Sequence, residues 1–340
     1  MRVAVYYSNS DVRLEERPVP DIGPDEALLK VFACGICGSD VMEWYRIRRA
    51  PLVLGHEATG EIAQVGERVE SLAVGDRVFV SHHVPCNTCR LCLRGEHTAC
   101  ATLHSTNIDP GGFSEFTRIP GINVDRGVFP LPEEVSYEAG VFVEPLACVL
   151  RSQMKLGIRP GDSVLVLGSG VSGILHAQLA HSLGATRVIS TDINEHRLDF
   201  AERFVEATID ANEDVPGMVR ELNGGVPPEH VIVSTAAIPA IRQAFESVDD
   251  CGKVLLFAPT GPGVEFPLDL NDIWSRQITI TTSYAAAPSD LAAALELIRS
   301  KKIEVESMIT HRFRLADAGE GFRIVAEAGD SMKVIVEPQR

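Results

Sequence analysis

The feature that most constrains this chain is the stretch Gly161-Asp-Ser-Val-Leu-Val-Leu-Gly168-Ser-Gly170-Val171-Ser172-Gly173, where an apolar strand pattern runs through a glycine turn into an apolar helix pattern. The glycines fit G-x-G-x-x-G. The first permits a tight turn, the second lets an anionic group approach the backbone, and the third lets helix and strand pack closely. Further β-rich runs follow at Arg187 to Thr191, His230 to Ser234 and Lys253 to Phe257, alternating with helical stretches. From about Leu146 to Tyr284 this alternation predicts an α/β domain with a parallel, doubly wound sheet.

The flanking sequence has a different character. From Met1 to about Pro145, short apolar runs such as Ala27 to Val31, Gly60 to Val65 and Arg77 to Val80 are broken every few residues by Gly, Pro or Asp, which predicts a mainly β domain. Beyond Tyr284 a helix from about Ser289 to Ser300 and a closing strand, Met332 to Glu337, are too little for a third core. They are expected to return to the first domain. Residues 1–147 and 285–340 then form one domain and residues 148–284 an insertion, with a ligand-enclosing cleft expected between them.

A chain of 340 residues suits two such domains, and its balance of 45% hydrophobic to 23% charged residues is that of a globular protein. No apolar run is long enough to span a bilayer, and Met1 to Tyr6 has the pattern of a first strand rather than a signal sequence, so a cytoplasmic location without membrane partners is expected. The net charge of −16 opposes nucleic-acid binding and favours small-molecule partners.

Of the eight cysteines, four lie close together as Cys86, Cys89, Cys92 and Cys100. Two-residue gaps let successive thiolates curl around one tetrahedral ion, and a closed four-sulfur shell is structural because no position is left for water or substrate. Zinc is the expected metal, with a four-cysteine iron site as the rival. A second set, Cys37-Gly-Ser39-Asp40 with Gly55-His56-Glu57, offers a thiolate, an imidazole and a carboxylate. Three protein ligands plus water would make an open site able to polarise an alcohol, although by spacing alone such residues are more often ordinary core and loop residues. Nineteen residues after Gly173, Asp192 ends the next strand, where a carboxylate can accept both ribose hydroxyls of a dinucleotide and repel a 2′-phosphate. That pattern favours NAD over NADP.

Together these residues give a pattern that resembles the zinc-containing medium-chain dehydrogenases, in particular the sorbitol (L-iditol) and threonine dehydrogenase branch. The resemblance covers nearly the whole length. It rests on Cys34-Gly-Ile-Cys37-Gly-Ser-Asp40, Leu54-Gly-His56-Glu57-Ala, Gly66 through Gly75-Asp76-Arg77-Val78, the four-cysteine lobe, Gly111-Gly-Phe-Ser-Glu115, Val143-Glu144-Pro145-Leu146, the glycine turn, and Ile309-Thr-His311-Arg312-Phe313. It implies a GroES-like β domain made of both chain ends, with a Rossmann domain inserted. It implies two zinc ions per chain. Cys37 and His56 would ligate the catalytic one, with Glu57 and Glu144 sharing the remaining positions with water, and Cys86, Cys89, Cys92 and Cys100 would hold the structural one. Gly168, Gly170, Val171, Ser172, Gly173, Asp192 and Arg197 would bind NAD. Ser39 would pass the alcohol proton onward.

Two departures stand out. Many relatives place a relay histidine five residues after the zinc cysteine, where this chain has Met42, so a water or Glu43 would have to take over. Polyol enzymes tend to carry an arginine where Ser283 precedes Tyr284. The segment Trp44-Tyr45-Arg46-Ile47-Arg48-Arg49 offers three arginines that could hold a carboxylate or phosphate, or form a solvated loop. His82 and His83 stand before the cysteine lobe as spare ligands, but four sulfurs already fill that shell. The expected activity is oxidation of a secondary alcohol (polyol, sugar acid or related sugar derivative) to a ketone. Oxidation of a β-hydroxy amino acid, as by L-threonine 3-dehydrogenase, is the alternative. A non-catalytic NAD-binding sensor or scaffold should have lost a zinc ligand, and none is lost. Relatives imply a homo-oligomer, tetramer or dimer, formed by edge-strand pairing near Ile278 to Thr282.

Overall fold

The computed structural model describes every residue from Met1 to Arg340. The chain divides into two compact units, Met1–Ala147 with Ala286–Arg340, and Cys148–Ala285, so the return to the first unit begins at Ala286.

The first unit is built on β1 (Arg2–Ser8), β2 (Asp11–Glu16), β3 (Ala27–Gly35), β4 (Leu52–Val53), β5 (Glu57–Val65), β6 (Arg77–Ser81), β7 (Phe116–Ile119) and β8 (Val128–Pro130). The second contributes β9 (Ser163–Leu167), β10 (Arg187–Asp192), β11 (Ala207–Asp210), β12 (His230–Val233), β13 (Lys253–Leu256) and β14 (Thr279–Thr282). The chain then returns with β15 (Ile309–Arg314) and β16 (Lys333–Glu337).

The six strands of the second unit are all parallel, in the order β11-β10-β9-β12-β13-β14. Every residue of β9 is buried, as a strand covered on both faces by helices must be. Strand β9 pairs with β10 on one side and β12 on the other, so the winding reverses there and the crevice beyond its carboxyl end is where a doubly wound sheet takes its ligand. Gly168 makes the turn at a φ of 102°, a left-handed value that a side chain disfavours. A Cβ on Gly173 would lie 1.8 Å from the Gly168 carbonyl oxygen, so only glycine lets the helix Val171–Ser182 come this close to its strand.

In the first unit the main sheet runs β15-β16-β3-β5-β6-β8, with β7 also paired to β3, beside a smaller sheet β2-β1-β4. Its core packs Tyr6 and Phe113 against Phe322, with ring centroids 5.6 and 5.4 Å apart. Full burial of each large apolar side chain stabilises the fold by about 1.5–3 kcal/mol. Helix Pro288–Arg299 starts with a proline in its first turn, where no amide is needed, and the Asp290 carboxylate accepts the Ala287 amide at 2.8 Å. Strand β16 then pairs antiparallel to β3, with Ile335 opposite Gly35, and the Ile36 amide donates to the Val334 carbonyl at 2.9 Å. This closing strand ties the last residues of the chain into the sheet of the first unit.

Candidate active site and metal centres

The end of β3, the start of β5 and the end of β6 meet in one row of the sheet, because Gly35 pairs with Glu57 and Glu57 with Ser81. The chain leaves that row toward Cys37, arrives through His56 and leaves again through His82. Ligand atoms of Cys37, His56 and Glu57 lie within 4.8 Å of one another.

A short turn, Gly38–Asp40, holds the thiol. The Ser39 amide donates to Cys37 Sγ at 3.4 Å, and Asp40 Oδ2 accepts the Cys37 amide at 3.1 Å. Asp40 is fully buried, and its Oδ1 stands 3.3 Å from His56 Nδ1. A carboxylate on one ring nitrogen fixes the tautomer and leaves the other nitrogen for a metal. Burial pushes the Asp40 carboxyl up, but His56, Arg46 and the Cys37 amide outweigh it and hold it below its ordinary value. Burial likewise pulls the His56 imidazole down, while the Asp40 carboxylate drives it well above the usual histidine range. The Oε1 of Glu57 is buried with no hydrogen-bond partner in the protein, an oxygen that a cation would satisfy. The residues therefore fit zinc: soft and borderline donors converging, an oriented histidine and an orphaned carboxylate oxygen.

The other oxygen, Glu57 Oε2, accepts from the Lys333 ammonium in a buried ion pair. A Cβ on Gly35 would lie 2.0 Å from that oxygen and 2.6 Å from Lys333 Cε, so glycine at position 35 makes the room. Lys333 also lies over the Phe142 ring at 5.5 Å. Burial pulls its ammonium down, but Glu57, Cys37 and Glu144 together raise it above its ordinary value. Glu144, at the first turn of helix Val143–Leu156, acts on Lys333 through its charge and is not one of the three residues whose ligand atoms converge.

Of the three clustered arginines, Arg46 turns inward: its Nε donates to the Ser39 carbonyl at 2.9 Å, and its Nη2 to Ser39 Oγ at 3.1 Å and Asp40 Oδ1 at 3.4 Å. Arg48 and Arg49 are exposed, with the Arg49 guanidinium 5.9 Å from the Tyr45 ring centre. Glu43 accepts the Asn9 amide at 3.0 Å, on the turn after β1.

His82 and His83 are not spare ligands of the cysteine lobe. The His82 ring packs 4.9 Å from that of His56 and 3.8 Å from that of His83, and the Asn123 amide pins the carbonyls of Ser81 and His82 at 2.9 Å each. Burial, with the nearby His56, pulls both imidazoles down, His83 to about 4, so both are neutral near pH 7.

In the lobe, sulfur atoms stand 3.6 Å apart for Cys89 and Cys92, 3.6 Å for Cys86 and Cys100, and 3.9 Å for Cys86 and Cys92. Sulfurs at about 2.3 Å around a tetrahedral zinc are separated by about 3.8 Å, so the set fits the ion. Backbone amides reinforce the thiolates: Cys89 donates to Cys86 Sγ at 3.2 Å and Cys86 to Cys100 Sγ at 3.4 Å. The lobe itself has only the short turns Cys92–Arg94 and His97–Ala99, so a metal is its natural organiser.

On the cofactor side, Gly170 precedes the helix Val171–Ser182 without a side-chain cap, leaving the first amides, those of Val171, Ser172 and Gly173, for an anion. Asp192 Oδ2 accepts the Ser169 amide at 2.8 Å and Oδ1 the Asn194 amide at 3.0 Å, which ties the end of β10 to the glycine turn. The Arg197 guanidinium lies beside Gly170, with Nη1 3.7 Å from where a Cβ there would be.

Residues 23–133 match the family model of the alcohol dehydrogenase GroES-like domain, and residues 172–300 that of the zinc-binding dehydrogenases. The sorbitol dehydrogenase of Bombyx mori is 32% identical, over 99% of this chain and 98% of its own. The chain belongs to the zinc-containing medium-chain alcohol dehydrogenases. As a member of that family it is a zinc-dependent oxidoreductase of CH–OH donors using a nucleotide cofactor. The L-threonine 3-dehydrogenase of Rhizobium etli (strain CIAT 652) is 30% identical, over 99% of each chain. A Sinorhizobium meliloti 1021 protein described as a zinc-binding dehydrogenase, solved bound to NADP, superposes with a TM-score of 0.88 at 27% identity over 99% of each chain. The family and the GroES-like plus Rossmann-like fold are those expected from the sequence. No helix is long and apolar enough to cross a membrane.

Three residues of the site were not expected among the converging set. Asp40 had a legible signal, since its distance of three residues from Cys37 is that of a capping box. Arg46 was legible only as part of a basic run. Lys333 lies 276 residues from Glu57, and no local pattern connects them.

Proposed function

We propose that this enzyme oxidises a secondary alcohol of a polyol, sugar acid or related sugar derivative to a ketone, with NAD as hydride acceptor. The convergence of Cys37, His56 and Glu57 beside Ser39 carries this reading. In it Cys37, His56 and Glu57, with Glu144, hold the catalytic zinc, and Cys86, Cys89, Cys92 and Cys100 the structural one. When bound, the catalytic zinc supplies Lewis acidity at an alcohol oxygen, and the nicotinamide takes the hydride.

The protein's own part is orientation and charge. Asp40 holds His56 in one tautomer and the Cys37 backbone in place, the Ser39 amide orients the thiol, Lys333 balances the carboxylates, and Ser39 Oγ exchanges a proton with the substrate hydroxyl. The amides of Val171, Ser172 and Gly173, with Arg197, face the pyrophosphate, while Asp192 takes the ribose hydroxyls and disfavours a 2′-phosphate. Domain roles follow: the first unit is catalytic and the second binds the cofactor.

The neutral His82 and His83 beside His56 suit hydroxyl groups, which supports the polyol class. The threonine-type alternative is supported by the Rhizobium relative, while the engagement of Arg46 with Ser39 removes the best-placed clamp for a carboxylate. The reading includes a homo-oligomer formed through the edge strand β14, near which Leu270 and Trp274 are 75% and 78% exposed.

The test is zinc content followed by NAD and NADP reduction over polyols, sugar acids, sugar phosphates and hydroxy amino acids. The expected result is two zincs per chain and NAD reduction with a polyol or sugar derivative. Fully zinc-loaded protein that reduces neither cofactor with any panel member would overturn the reading, and turnover of L-threonine alone would replace it with the alternative.

A further inference from the structure

We propose that Arg46 is the positioning residue for Ser39, and that it stands in for the relay histidine whose place is taken by Met42; this rests on the dehydrogenase reading above. The guanidinium comes from the short helix Glu43–Arg46 directly after the Cys37–Asp40 turn, and its side chain is only 14% exposed. It stacks 4.8 Å from the Tyr45 ring centre, which fixes its plane. From that position it contacts the Ser39 carbonyl, Ser39 Oγ and Asp40 Oδ1 together.

Hydrogen-bond direction gives this contact its meaning. A guanidinium has five donors and no acceptor, so Ser39 Oγ must accept from Arg46. The hydroxyl hydrogen is then directed away from the guanidinium. The Ser39 carbonyl is already taken by Arg46 Nε, and residue 42 offers a thioether rather than an imidazole. The incoming substrate oxygen and water are the partners left for that hydrogen.

In the reductive direction the Ser39 O–H bond breaks as the new O–H bond of the alcohol forms, and water restores the proton. In the oxidative direction the alcohol proton goes to Ser39 Oγ as the serine's own proton leaves to water. A fixed cation beside the serine oxygen favours both by stabilising the negative charge that develops there. The same Nη2 also reaches Asp40 Oδ1, but at 3.4 Å against 3.1 Å for Ser39 Oγ, so the serine is the group it chiefly holds.

The experiment compares zinc-loaded wild type with Arg46→Met, Arg46→Lys, Ser39→Ala and the double variant Ser39→Ala/Arg46→Met. With full zinc content retained, Arg46→Met is expected to lower kcat by about 10–100-fold with KM within about threefold, and Arg46→Lys to recover much of that loss. On the Ser39→Ala background, Arg46→Met is expected to cost nothing further, because its effect passes through the serine. Multiplying losses in the double variant, or an Arg46→Met enzyme with wild-type kcat, would overturn the proposal. Crystal structures of the wild type and the variants give a readout independent of turnover. In the wild type Ser39 should keep one rotamer on Arg46, and in Arg46→Met it should leave it; a Ser39 side chain unmoved in the variant overturns the proposal even if no alcohol is turned over. Absence of wild-type turnover with Ser39 displaced in Arg46→Met would sink the dehydrogenase reading and leave the positioning role standing. If Arg46→Met does not fold, Arg46→Gln, which keeps a polar side chain but removes the fixed cation, carries the same comparison, with the same loss of kcat expected and a wild-type kcat overturning the proposal.

Discussion

Lys333 and Glu57 form an ion pair inside the first unit, with side chains only 2% and 1% exposed. Removing one partner of a buried pair leaves the other charge uncompensated, which typically costs about 3–5 kcal/mol. Lys333→Met is therefore expected to destabilise the zinc-loaded enzyme by roughly that amount and to speed zinc loss to a chelator, while Lys333→Arg loses less. Urea unfolding and chelator competition measure the two effects. Wild-type stability and zinc retention in Lys333→Met would show that the pair carries no weight.

The space for that pair is made by Gly35. Gly35→Ala would drive a methyl group to 2.0 Å from Glu57 Oε2, and both neighbours are locked in by burial. Overpacking of this kind costs about 1–3 kcal/mol, and here the strain falls on a proposed metal ligand. The expected result is an enzyme that folds but retains less catalytic zinc, with the four-cysteine site still loaded. Metal analysis giving two full zincs would contradict it.

Legibility from sequence followed the distance over which each feature is encoded. The strand β9 and the glycine turn are contiguous, and Asp192 ends the next strand, so pattern and spacing announced the parallel sheet. The four cysteines share one loop and were equally plain. Cys37 and His56 were joined by resemblance rather than by spacing, because what unites them is the pairing of β3 with β5. Lys333 reaches the site only through β16, whose pairing with β3 closes a loop of almost the whole chain. Arg46 was legible only as one of three arginines, offered as an anion clamp or a solvated loop, since nothing in a run of arginines says which one turns inward.

The cysteine lobe should behave as an autonomous metal clip. Cys92→Ser and Cys100→Ala are each expected to lose one zinc per chain and to make the segment from Cys86 to Cys100 the preferred site of limited proteolysis, since its few short turns have little else to organise them. Metal analysis with peptide mapping checks this. Protease resistance with one zinc missing would mean that the lobe is held by its packing instead.

Asp192 is expected to set cofactor choice. Replacing it with Ala removes a charged acceptor for the ribose hydroxyls, worth about 1.5–3 kcal/mol or about 10–100-fold in KM for NAD, and lifts repulsion of a 2′-phosphate. Asp192→Asn keeps an acceptor for one of the amides of Ser169 and Asn194, and so separates loss of charge from loss of local structure. The ratio of kcat/KM for NADP to that for NAD should rise in both variants. An unchanged ratio would remove Asp192 from cofactor discrimination.

His176 gives the second unit an acid-sensitive point of its own. It is fully buried in the helix Val171–Ser182, and Gln153 Nε2 donates to its Nδ1 at 3.1 Å and to its carbonyl at 2.7 Å. The accepting Nδ1 places the hydrogen of the neutral ring on Nε2, and the ring meets Phe257 edge-on at 4.6 Å. Burial pulls its pKa from 6.5 down to about 3. The folded value lies below the unfolded one, so between these limits the unfolded chain binds the extra proton and stability is lost as pH falls from 6.5 toward about 3. The slope from this one group approaches about 1.4 kcal/mol per pH unit, and above 6.5 it contributes none. His176→Gln is expected to be less stable near neutrality through lost packing, yet to lose stability more slowly on acidification, so that the gap between wild type and variant narrows below pH 6.5. Urea unfolding of both proteins at several pH values between about 7.5 and 5 reads this gap directly. A gap that stays constant over that range would show that His176 takes up no proton on unfolding.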